Sequence, residues 1–229
     1  MMNDECTMMS EVLKMGQEII CPRFHSALLA GDRVRCVDEV LGLLEQKMAP
    51  ETLYTDVFQR SLYRIGELWE QNKISVATEH LATAVTEHLL SVVYPRILEN
   101  RAPNGKKMVI SCAVNEYHQV GARMVADIME GLGWDVWFLG ANTPVNDLLA
   151  LIQEKQPDVL GLSVSIYFNM TSLVRTVDMV RSHYPGLDII VGGQAFRRVG
   201  TETVKGLEKT ILVPSLTVVK QIFGPEARS

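Results

Sequence analysis

The spacing of apolar residues changes near residue 100, and this change constrains the chain more than any other feature. Before it, Leu28, Val34, Val37, Val40, Leu41 and Leu44 recur at threes and fours. Leu53, Val57, Leu62, Ile65 and Leu68 do the same, as do Val76, Leu81, Val85, Leu89 and Val92. That period belongs to helices with one apolar face. Gly31-Asp32 divides the first two, Ala49-Pro50 opens the third, and residues 70–75 divide the third from the fourth, with Ser75 placed to cap it. Four helices with short connections predict an antiparallel bundle over residues 5–98.

Asn100-Arg101-Ala102-Pro103-Asn104-Gly105 is polar and turn-rich, and reads as a linker. Beyond it, continuous apolar runs appear at 108–114, 135–140, 159–165, 188–193 and 210–214. Helical segments separate or follow them at 118–131, 145–156, 172–184, 199–207 and 215–224. Unbroken apolar strands alternating with helices predict a parallel sheet covered on both faces. The expected second domain is therefore a Rossmann-like, flavodoxin-like α/β unit over residues 106–226. In such sheets ligands bind beyond the carboxyl ends of the strands, at the topological switch point. The loop after the first strand is the place to look.

Composition excludes several classes. Hydrophobic residues make up 47% and charged residues 21%, enough apolar material for a core. The net charge of −5 and pI near 5.6 oppose direct DNA binding, and Arg197-Arg198 is only a pair. Cys6, Cys21, Cys36 and Cys112 fit no CxxC spacing and read as free thiols in a reducing cytoplasm. The Met-rich start carries Asp4, Glu5 and Glu11 and lacks the form of a signal peptide. No run is long and apolar enough to be expected to span a membrane.

The first predicted strand runs into Asn115-Glu116-Tyr117-His118-Gln119-Val120-Gly121. His118 thus stands at the carboxyl edge of the sheet. Glu116 is close enough along the bend to fix its tautomer and raise its basicity as a ligand. Gly121 lets the backbone approach a bulky group as the helix begins. The segment Glu116-Tyr117-His118-Gln119-Val120-Gly121 resembles the DxHxxG signature of cobalamin-binding domains, with Glu in place of Asp. The resemblance implies that His118 binds cobalt from below in place of the nucleotide base, and that the displaced nucleotide tail enters a slot at the end of the sheet. Ser163-Val164-Ser165, beginning 45 residues after His118, stands where the family has SxL, and departs from it at the third position. Gly192-Gly193 matches the later glycine marker and is expected beside the tail.

In the helical half, Trp69 ends the third helix and Glu79-His80 lies in the first turns of the fourth. A short turn can bring an indole face and two hydrogen-bonding groups to one end of the bundle. Trp69, nine intervening residues and Glu79-His80 is similar to the W-x9-EH signature of CarH-type cobalamin photoreceptors. That resemblance covers roughly residues 10–220. It implies a bundle capping the upper face of adenosylcobalamin, with Trp69 over the adenosyl group and Glu79 and His80 lining its pocket. Two departures are visible. Those regulators carry a DNA-binding domain before the bundle, and none is read in this chain. Some carry a histidine directly after the tryptophan, where this chain has Glu70. Glu87-His88 repeats the triplet eight residues on and reads as structural or solvent-facing.

Two functions follow from the resemblance. One is a non-enzymatic sensor, responsive to light or to cobalamin, acting through a protein partner and able to form homo-oligomers. The other is a corrinoid carrier subunit of a methyltransferase system, with methyl as upper ligand. A nucleotide-dependent oxidoreductase is disfavoured because no GxGxxG follows the first strand, and Gly131-Leu132-Gly133 sits at a helix end instead. The histidine spacings match no zinc pattern, and no GxSxG occurs for a serine hydrolase.

Overall fold

The computed structural model describes residues 21–197, 207 and 210–224. The beginning of the expected bundle, Cys6, Arg198, most of the helix expected over 199–207, and the end of the 106–226 segment lie outside the described residues. The chain divides into two compact units, residues 1–93 and 94–229.

The first unit is helical. Helix α1 (Pro22–Leu29) opens on a proline, whose missing N–H costs nothing there. Gly31 turns the chain at φ +68°, and Leu81 Cδ2 would stand 2.4 Å from any Cβ at that position. Asp32 then caps α2 (Arg33–Glu45) by accepting the Arg35 N–H at 3.1 Å. Helix α3, over 50–70, comprises Pro50–Thr52, a wider-wound stretch Leu53–Gln59, and Arg60–Glu70. Leu53, Tyr54, Val57 and Phe58 are all buried in the wider-wound stretch, with Phe58 stacked on Phe24 of α1. Ser75 accepts the Thr78 N–H at 3.2 Å ahead of α4 (Val76–Leu98), as its sequence position predicts. Tyr54 donates to the Leu90 carbonyl, tying α3 to α4.

The second unit begins inside α4, just before Pro95. Tyr94 donates to Glu130 at 2.6 Å, and Ile97 leaves no room for a Cβ at Gly131. The linker is held rather than loose: Asn104 bonds both Gly133 and Leu132, and Arg101 pairs with Asp135. Strands β1 (Lys107–Cys112), β2 (Asp135–Phe138), β3 (Val159–Ser163), β4 (Asp188–Gly192) and β5 (Thr210–Val213) form one sheet in the order β2-β1-β3-β4-β5. Every pairing is parallel. Helices α5 (Val120–Gly131), α6 (Val145–Lys155), α7 (Met170–His183) and α8 (Leu216–Phe223) connect the strands or follow them. Met108 to Cys112 are all buried, which explains why β1 reads as an unbroken apolar run. The sequence's fold class, a helical region followed by a Rossmann-like parallel sheet, is the one observed. The strand order reverses between β1 and β3, so the loops leaving those two strands flank the switch point.

Candidate functional site

The loops after β1 and β3 meet on one carboxylate. Glu116 is fully buried and accepts five hydrogen bonds. Its Oε1 takes the His118 main-chain N–H at 2.9 Å and the His118 ring Nδ1 at 2.7 Å. Its Oε2 takes the main-chain N–H groups of Ser165 and Ile166 at 2.8 and 2.9 Å and the Asn169 amide at 3.1 Å. Burial pushes this carboxyl's pKa up, but the bonds from His118, Ile166 and Asn169 outweigh it and hold the group at about 2. A carboxylate so held stays ionised and fixes the proton on Nδ1 of His118. The lone pair then resides on Nε2, the nitrogen that can bind a metal. The His118 side chain is half exposed.

The loop's shape comes from its neighbours. Asn115 sits at φ +66°, and its N–H is taken by Asn142 Oδ1 at 2.9 Å, while Asn142 at φ +51° donates its own N–H to the Glu116 carbonyl. Asparagine tolerates that backbone region better than other non-glycine residues. Beneath the loop the Cys112 thiol lies 3.8 Å from the His118 carbonyl, and burial followed by the Glu116 charge pushes it up to about 12. It is a packing group rather than a reactive thiol.

The residues singled out from sequence are placed as follows. Tyr117 is exposed, with its hydroxyl accepting from Asn142. Gln119 lies against Gly140, and a Cβ at Gly121 would meet nothing within 4 Å, so the backbone there faces open space. Ser163 ends β3, and Ser165 reaches Glu116 through its main chain; among the described residues neither serine hydroxyl bonds that carboxylate. Gly192 and Gly193 have a reason internal to the sheet. A Cβ at Gly192 would lie 2.7 Å from the Val213 carbonyl oxygen, and one at Gly193, at φ +114°, would lie 2.1 Å from that of Val164. In the helical unit, Trp69 is exposed at the end of α3 and the Glu79 side chain is mostly covered in the first turn of α4. Thr83 donates to Glu79 at 3.2 Å and His80 is exposed. These three share one end of the unit, and no hydrogen bond or ion pair joins Trp69 to the other two.

Sequence reasoning missed Asn115, Asn142 and Asn169, and it missed Ile166, Tyr167 and Phe168, which stand exposed beside the histidine loop, Phe168 at 88%. Their signal was positional: each follows the carboxyl end of a strand at or beside the switch point. An exposed apolar rim around an oriented imidazole, with open space at Gly121, fits a broad, flat, largely apolar ligand carrying a metal at its centre.

A parallel α/β unit with an oriented imidazole at its switch point, preceded by a helical unit, can hold a ligand at the carboxyl edge of its sheet. Residues 20–94 match one B12 binding domain model and residues 106–207 match another, and the chain belongs to the B12-binding family. It is a cobalamin-binding protein. The HTH-type transcriptional repressor CarH of Myxococcus xanthus is 31% identical over 176 residues, covering 75% of this chain and 56% of that protein. CarA of the same organism, also an HTH-type transcriptional repressor, is 31% identical over 144 residues, covering 62% and 46%. The chain thus spans about half the length of these two relatives. Dimethylamine corrinoid protein 3 of Methanosarcina acetivorans is 20% identical over 166 residues, covering 68% and 76%. The solved Methanosarcina barkeri monomethylamine corrinoid protein shares the fold at a TM-score of 0.78 and 12% identity, over 88% of this chain and 95% of that one. No described helix is long and apolar enough to cross a membrane.

Proposed function

We propose that this protein is an adenosylcobalamin-dependent sensor that reports the state of its upper ligand to a protein partner. His118 supplies the lower axial nitrogen to cobalt through Nε2, and Glu116 holds the ring for it. Gln119 and Gly121 border the corrin, and Ser163, Ser165, Gly192 and Gly193 border the nucleotide tail. Trp69 packs on the adenosyl group, with Glu79 and His80 offering hydrogen bonds to it. When bound, cobalamin supplies a cobalt–carbon bond whose cleavage changes the upper ligand. The chain's own work is to bind two ligand states with different affinity, since only that difference shifts a conformational equilibrium.

The observation that carries the reading is the Glu116–His118 pair, fixed at 2.7 Å at the switch point. The regulatory role is supported by an exposed Trp69 and a mostly covered Glu79 at one end of the helical unit, and by the greater identity to the two HTH-type repressors than to the corrinoid proteins. The second reading is a methyl-carrying corrinoid subunit, supported by the likeness in fold to the monomethylamine corrinoid protein. Purified protein loaded with adenosylcobalamin separates them. Green light should change its absorption spectrum and its oligomeric or partner-binding state. An unchanged spectrum and state, with tighter binding of methylcobalamin, would support the carrier instead.

A further inference from the structure

We propose that the free edge of β2 docks an extended segment of a partner protein, and that the cavity beside Val136 takes one basic side chain of that segment. The inference is independent of which ligand His118 holds.

Among the described residues β2 stands at one end of the sheet order, so one of its edges is unpaired. In a parallel ladder one residue turns both its N–H and its carbonyl to the neighbouring strand, and the next turns both away. The Asp135 N–H goes to the Lys106 carbonyl and the Leu139 N–H to the Ile110 carbonyl, both at 2.8 Å and both on the β1 side. By that alternation Val136 and Phe138 turn their main-chain groups outward. These are the donors and acceptors that an added strand uses. Open edges are commonly guarded by proline or lysine, and Asp135-Val136-Trp137-Phe138 contains neither.

A cavity of about 260 Å³ lies along this edge, with Tyr94, Leu98, Arg101, Glu130, Asp135 and Val136 in its walls. All of them belong to the second unit. The volume falls below the roughly 300–1,000 Å³ of drug-sized ligand sites and suits one long side chain. Two carboxylates reach the cavity, each half committed. Glu130 Oε2 takes the Tyr94 hydroxyl at 2.6 Å, and Asp135 Oδ1 takes Arg101 at 2.8 Å. Among the described residues, Glu130 Oε1 and Asp135 Oδ2 accept no hydrogen bond. Arg101 alone offsets these two charges, so the walls carry a negative excess. Leu98 and Val136 add apolar surface. A methylene stem ending in an ammonium or guanidinium matches both features. A second copy of this chain does not supply one through the same strand. Residues 135–138 hold no basic side chain, and self-pairing would add Asp135 to a surface already acidic.

The test selects short random peptides on the full-length protein and measures how the selected ones bind. They should be strand-forming sequences with one lysine or arginine at a fixed position. In NMR they should shift the Val136 and Phe138 amides most strongly, with or without cobalamin bound. Glu130→Gln and Asp135→Asn should each weaken binding about tenfold, as expected for one charge-assisted hydrogen bond lost, with circular dichroism unchanged. N-methylation of alternate peptide residues should abolish binding, because it removes the donors of the added ladder. A selection that yields no binder, selected peptides without a basic residue, or shifts lying away from β2 would overturn the assignment. So would a dimer that closes over this edge and excludes the peptides, since the occupant would then be a second copy.

Discussion

The two units carry their chemistry-bearing residues in opposite ways. At the carboxyl edge of the sheet nearly every polar group is committed: Glu116 accepts five bonds, and Asn142 and Asn169 hold Asn115 from both sides. In the helical unit, Trp69 stands exposed, Glu79 has a hydroxyl partner in Thr83 and the exposed His80 imidazole at 3.7 Å, and His25 Nδ1 and Ser61 Oγ are buried without a hydrogen-bond partner. One region is pre-organised before any ligand arrives, and the other leaves its groups to be organised by one. That division is what the proposed sensor requires, with one side of the ligand held constant and the other free to differ.

The contrast is sharpest at Glu116. Replacing it with alanine leaves the N–H groups of His118, Ser165 and Ile166 without their acceptor in a buried site. The expected cost is about 4 kcal/mol, read from urea unfolding. A cost below about 1 kcal/mol would mean the site is not pre-organised. Glycine substitution draws the same line. Gly193→Ala must fit a side chain at φ +114° against the Val164 carbonyl and should cost about 3 kcal/mol. Gly66→Ala in α3 meets open space and should stabilise by about 0.5–1 kcal/mol.

Acid should separate the units. Burial, and then the nearby Arg64 charge, lowers the pKa of His25 below its ordinary 6.5. The unfolded chain therefore takes up that proton first, and the helical unit loses stability as pH falls below 6.5. Glu116 is lowered from 4.5 to about 2, so its contribution is full above 4.5 and is lost as pH falls through about 2, roughly 3 kcal/mol in all. Hydrogen exchange along an acid titration should show α1 and α3 loosening before the β1 and β3 loops. The reverse order would break the comparison. Trp69→Ala should cost about 1–2 kcal/mol, because the ring is 44% exposed and the rest of its surface is covered. The same change should abolish any preference for adenosyl- over methylcobalamin in a binding titration.

Much of this was legible in the sequence because burial writes itself into spacing. The runs at 108–114 and 159–165 announce strands covered on both faces, and Gly31, Asp32 and Ser75 mark turns and caps through their own chemistry. His118 and Glu116 were legible because they sit two residues apart on one loop. The asparagines were not. Asn142 and Asn169 meet Asn115 only after two crossovers bring three strand ends together, so their spacings of 27 and 54 residues carry no local pattern. Gly192 and Gly193 were read from the sequence by the ligand expected beside them, whereas carbonyls at Val213 and Val164 already require them. The wider winding of Leu53–Gln59 was hidden for a similar reason: its apolar residues fit an ordinary helix equally well, and only packing distinguishes the two.

The proposed role of His118, to bind cobalt through its imidazole nitrogen, can be read from one spectrum. The direct measurement is electron paramagnetic resonance of the cob(II)alamin-loaded protein made with nitrogen-15 histidine. Splitting by the axial nitrogen should change from a triplet to a doublet on labelling, and should disappear in His118→Ala. A triplet that survives labelling, or a doublet that survives the substitution, would show that His118 is not the ligand.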